Sequence, residues 1–168
     1  MRPEIKNAMI LSSLVLLAGC SSGPLESTGE GAALAAAPAP DPAAEEANVR
    51  QALDRFFAAA ERKDWQTIDG LLAEDFEFYS DGTMMLDRGG FLEAMKDDSM
   101  DITSLELNNV QVTLSGDAGM AWVKYQAAME SSIHGEPYNM ASAETVVFRK
   151  ESSGWKMTHN HASVKELS

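Results

Sequence analysis

The chain has 168 residues, of which 13 are basic and 26 acidic, for a formal charge of −13. A surface so negative repels phosphate backbones and anionic headgroups, which excludes nucleic-acid binding and charge-driven adhesion to a membrane. The single cysteine excludes a disulfide framework.

In chain order, Arg2 and Lys6 open an apolar run, "AMILSSLVLLA" over 8–18. This is the pattern of an export signal, and the run is too short to cross a bilayer. "LAGC" over 17–20 resembles the lipobox of bacterial lipoproteins, in which the cysteine is lipidated and becomes the first residue after cleavage. The resemblance implies a signal peptide over 1–19, lipidation (palmitate) at Cys20, and contact with the membrane through that anchor only. For a Gram-negative host, Ser21 in the next position implies sorting to the periplasmic face of the outer membrane. The Ala-, Pro-, Gly- and Ser-rich segment 20–44 has too few large apolar residues to form a core. It reads as a flexible tether spanning on the order of 27 Å.

Residues 45–168 are expected to form one domain. Over 45–63, Val49, Leu53, Phe56, Phe57 and Ala60 fall at steps of three and four, which predicts a helix with one apolar stripe. Asp64 is a cap for a second short helix carrying Trp65, Ile68 and Leu72, with Glu74 and Asp75 expected to close it. Two short strands are expected over 76–86 around the turn "SDG" at 80–82, then a third helix over 87–97 that buries Phe91, Leu92 and Met95.

Beyond this point the pattern is all strand. Leu105 and Leu107 alternate on one parity while Val110, Val112 and Leu114 continue on the other, so a bulge is expected near Asn108 and Asn109. Turns at "SGD" (115–117) and "ESSG" (151–154), and the loop "SIHGEPYN" (132–139), separate the later strands. Helices followed by a bent antiparallel sheet make an α+β layout.

The stretches "ALDRFFAAAERKDWQTIDGLLAEDFEFYS", "LSGDAGMAWVKYQ" and "ASAETVVFRKESSGWKMTHNHAS" resemble SnoaL-like members of the nuclear transport factor 2-like superfamily, over about Val49 to Ser163. They are similar also to the association domain of calcium/calmodulin-dependent kinase II. The resemblance implies a cystatin-like cone: about three helices on the concave side of a curved antiparallel sheet, a pocket at the wide end, and an outer face that pairs into homodimers.

"GWKMTHNHAS" over 154–163 raises the question of a site. As a regular strand it puts Trp155, Met157, His159, His161 and Ser163 on one face. A metal needs three or four converging donors; the pair supplies two and His134 lies in a loop, so neither metal nor cofactor is expected. His159 and His161 are left as pocket, packing or dimer-contact residues. Trp65, Tyr79 and Trp122 either wall an apolar pocket or belong to the core. In ketosteroid-isomerase and polyketide-cyclase relatives a carboxylate near the end of the first strand takes a proton. Here Ser80 aligns with it and Asp81 is adjacent, where it is equally a turn former. Lys124 and Val146 fall where the kinase association domain carries cavity arginines, and Lys124 is expected to pair with Glu144 across neighbouring strands. The expected function is a lipid-anchored envelope protein that binds a small, partly apolar molecule or a protein partner. The alternatives are an isomerase or cyclase with Asp81, His159 or His161 as base, or an oligomerising scaffold.

Overall fold

The computed structural model describes residues 40–82, 84–96 and 100–167. The expected export signal, Cys20 and the tether up to residue 39 lie outside the described residues. No helix among the described residues is long and apolar enough to cross a membrane.

Helix α1 (Pro42–Glu61) begins before the expected Glu45, because Asp41 caps it: the Asp41 side chain accepts from the Ala43 N–H at 3.0 Å. Proline in the first turn loses no intrahelical bond. Its buried stripe of Val49, Ala52, Leu53, Phe56, Ala59 and Ala60 is what holds it to the sheet, at roughly 1.5–3 kcal/mol for each fully buried large side chain. Helix α2 (Trp65–Leu71) is capped by Asp64, which accepts from the Thr67 N–H at 3.1 Å and the Thr67 hydroxyl at 2.7 Å. Strand β1 (Leu72–Ser80) follows without a gap, so Glu74 and Asp75 are exposed strand residues rather than the end of the helix. Asp81 and Gly82, with φ of 51° and 72°, turn it into β2 (Met84–Asp87). Helix α3 (Arg88–Met95) is capped by Asp87 through the Gly90 N–H at 2.8 Å.

Five further strands complete the sheet: β3 (Met100–Leu114), β4 (Met120–Ile133), β5 (Glu136–Pro137), β6 (Asn139–Glu151) and β7 (Gly154–Leu167). The order is β2-β1-β7-β6-β4-β3, with β5 paired to β4. All pairs are antiparallel except β1 with β7. The sheet is therefore mixed rather than wholly antiparallel. Consecutive strands joined by turns must run antiparallel, whereas β1 and β7 meet after a long excursion of chain that leaves their relative direction free.

The ladders shift register at four points among the described residues, and two of these bulges set which faces turn inward. In β3 the pairing steps from Asn108↔Gln126 to Gln111↔Lys124, and Asn109 takes φ 56°, a conformation asparagine tolerates well. This is the expected face switch. In β7 the pairing steps from Phe148↔Met157 to Val147↔His159, which makes Thr158 an extra residue. The narrow end of the cone is filled by Val49, Leu53, Ile68, Phe76, Val123, Val146, Phe148 and Met157, all fully buried.

One polar tie fixes α1 to the far hairpin. Glu45, only 8% exposed, accepts from Lys150 Nζ at 2.7 Å and from Trp155 Nε1 at 3.0 Å. The Lys150 hydrogen bond, opposed by burial and aided by Trp155, holds the Glu45 carboxyl below the usual glutamate range. Glu45→Ala is expected to cost about 1–3 kcal/mol in urea denaturation, because the Trp155 N–H loses its partner. The lowered folded value sets the sign of the pH effect. The contribution is present above the ordinary glutamate range and is lost as pH falls through the folded value, so the wild-type and variant curves converge in acid.

Candidate functional site

Above the filled end, the helices and the sheet diverge around a cavity of about 610 Å³. The helical wall comes from Phe56, Phe57 and Ala60 of α1, Trp65 of α2, and Phe91, Ala94 and Met95 of α3; Phe78 of β1 and Leu86 of β2 continue it. Phe91 braces this wall. Its ring centroid lies 5.1 Å from Phe76, 5.2 Å from Phe78 and 6.4 Å from Phe56. The sheet wall comes from Ile102 and Leu105 of β3, Ala127 and Met129 of β4, Met140, Ser142 and Glu144 of β6, and Asn160, Ala162 and Val164 of β7.

Charged Glu61, Arg62, Lys63 and Asp101 also line the cavity, and one hydrogen-bonded polar cluster interrupts its sheet wall. The Glu144 carboxylate accepts from the Tyr125 hydroxyl at 2.6 Å and Asn160 Nδ2 at 3.0 Å on Oε2, and from the Ser142 hydroxyl at 2.7 Å on Oε1. Phe57 packs edge-on against Tyr125 with centroids 5.6 Å apart. Burial first, then the charge of Glu144 and the hydrogen bond to it, push the Tyr125 hydroxyl well above the usual tyrosine value. It therefore remains a donor throughout the physiological range. Asn160 is 5% exposed and its Oδ1 has no protein partner.

The bulge at Thr158 decides which strand residues reach this cavity. Trp155 and Met157 point inward below it and Asn160 and Ala162 above it, while His161 and Ser163 are exposed on the outer face. The single face expected for Trp155, Met157, His159, His161 and Ser163 is thus broken, because one extra residue reverses the alternation. His159 lies against Tyr79, centroids 5.3 Å apart, and neither lines the cavity.

Among the other sequence candidates, Trp65 and Glu144 line the cavity. Asp81 stays in the turn, exposed, accepting from the Val164 N–H at 2.9 Å and the Ser80 hydroxyl at 3.2 Å. Lys124 and Trp122 are exposed on the outer face of β4. The expected Lys124 pairing with Glu144 fails for a register reason: Glu144 opposes Tyr125, and Lys124 opposes Thr145 on the other face. His134 occupies an exposed turn with φ 52°. No three His, Cys, Asp or Glu side chains among the described residues converge as metal ligands.

Tyr125, Ser142 and Asn160 escaped the sequence reading. For Tyr125 a signal existed, since it shares parity with Val123 and Ala127. For Asn160 the signal was reversed by the bulge.

A family model described as a SnoaL-like domain matches residues 49–165. No curated protein matches the chain. Among solved structures, a conserved protein from Planctomyces limnophilus is similar at TM-score 0.68 and 19% identity, covering 74% of this chain and 99% of that one. A ketosteroid isomerase-like protein from Erwinia carotovora atroseptica gives 0.62 and 16%, covering 74% and 97%. An NTF2-like protein with a cystatin-like fold from Novosphingobium aromaticivorans gives 0.60 and 18%, covering 72% and 82%. The shared fold is that nuclear transport factor 2-like, cystatin-like cone.

Tyr125→Phe removes a hydrogen bond to a charged group and is expected to cost about 1.5–3 kcal/mol in urea denaturation, whereas His161→Ala on the outer face should stay within about 0.5 kcal/mol. Because the Tyr125 value is raised on folding, its contribution is complete below the ordinary tyrosine value and declines as pH rises above it. The Tyr125→Phe deficit should therefore shrink in alkali.

Proposed function

The chain belongs to the SnoaL-like domain family, and on that footing we propose that it is a lipid-anchored envelope protein whose cone holds a small, largely apolar molecule. The cavity carries this reading. Its volume of about 610 Å³ sits within the range of about 300–1,000 Å³ typical of small-molecule sites. A hollow of that size leaves Phe57, Phe78, Leu105 and Met129 without packing partners on one side, a cost that an apolar occupant offsets. Glu144 and its donors supply a polar point on the sheet wall that orients the occupant.

The isomerase or cyclase alternative through Asp81, His159 or His161 lacks this support, since the cavity wall draws on other side chains. Attachment to the envelope is supported by the lipobox-like "LAGC" that ends at Cys20. Pairing of two copies through the outer sheet face is supported by the exposure of Met120 and Trp122, at 44% and 41%.

Isothermal titration of the purified chain with 4-phenylbutan-1-ol is expected to give binding on the order of 0.1–1 mM. Ala127→Phe, which fills the hollow, should abolish it. No heat of binding to the wild type would contradict the reading. Radiolabelled palmitate should enter the wild-type chain in a Gram-negative host and be absent from Cys20→Ala; an unlabelled wild type would contradict the anchor.

A further inference from the structure

The polar cluster of the cavity is one-sided. A carboxylate offers about four acceptor sites, and the protein fills three of those on Glu144: two on Oε2, from Tyr125 and Asn160, and one on Oε1, from Ser142. The capacity left over on Oε1 is that of an acceptor. Asn160 is oriented by its donor contact to Glu144, because a carboxylate cannot donate to the amide oxygen. Its Oδ1, shielded in the same wall, is likewise an acceptor without a protein donor.

Glu144 also has no counter-ion among the described residues. None of the ion pairs among the described residues includes it, although it faces a mainly aromatic and aliphatic chamber. A carboxylate in such surroundings gains most from a cation that is itself hydrogen-bonded to it. The mouth does not supply this selectivity, since Glu61 and Asp101 stand there with Arg62 and Lys63. The aromatic faces of Phe57, Phe78 and Trp65 suit both an apolar body and a positive head. A chain charge of −13 raises the local concentration of cations.

Resting on the reading that the cone holds a small apolar molecule, we infer that this molecule is an amphiphilic amine whose protonated nitrogen donates to Glu144 while its apolar body fills the aromatic chamber.

The test is isothermal titration of the purified chain with three probes of one shape: 4-phenylbutylamine, 4-phenylbutan-1-ol and 4-phenylbutanoate. The amine is expected to bind about tenfold tighter than the alcohol, and the carboxylate about tenfold weaker or not at all. Glu144→Gln should bring amine and alcohol to within about twofold of each other. In the wild type the amine preference should persist in 0.5 M salt, because a pair inside the cavity is screened far less than the outer surface. If the alcohol binds and the amine is no tighter, or the preference vanishes in salt or survives Glu144→Gln, the inference is overturned while the binding reading stands. If none of the three probes binds, the binding reading fails and the inference falls with it.

Discussion

The single extra residue in β7 governs the character of the cone. Strands alternate strictly, so without a bulge the side that buries Trp155 and Met157 would also carry His159 and His161 into the cavity. Thr158 breaks that alternation. Below it the strand supplies bulk to the core, and above it supplies Asn160 and Ala162 to the hollow. The contribution of β7 to the site changes accordingly, from a pair of imidazoles to an amide and a small methyl beside the Glu144 carboxylate.

That exchange matters because the walls around the cluster are mainly aromatic and aliphatic. A polar group placed among phenylalanines must be satisfied or it weakens the fold. Glu144 meets this requirement through three donors drawn from its own strand and both neighbours: Ser142 on β6, Tyr125 on β4 and Asn160 on β7. The network joins the central strands of the sheet while leaving acceptor capacity beside the chamber. The same residues thus serve stability and recognition, and the aromatic brace around Phe91 keeps the opposite wall apart.

Much of the architecture was legible in local chemistry. The α1 stripe, the caps Asp64 and Asp87, the turn at Asp81 and Gly82, and the bulge at Asn108 and Asn109 each have a short-range cause. The start of α1 was missed, although Asp41 before Pro42 is a cap and first-turn pair. Three other features were not legible. The bulge at Thr158 sits in "KMTHNH", where the slip from Trp155 and Met157 to Ala162 and Val164 is left unplaced, because the His and Asn residues between them give no hydrophobic phase. The parallel pairing of β1 with β7 is a consequence of tertiary closure. The separation of Lys124 from Glu144 depends on a register that only the folded ladder sets. Fold therefore followed from pattern, whereas the share of β7 in the site depended on one residue's insertion.

The most direct measurement is a set of nuclear Overhauser contacts from the side chains of Asn160 and His161 in the isotopically labelled protein. The bulged strand predicts cross-peaks between the Asn160 side-chain amide and the Tyr125 ring, with none from the His161 ring to Ala127 or Met140. Cross-peaks from His161 to those cavity residues, with Asn160 free of contact to Tyr125, would contradict the account.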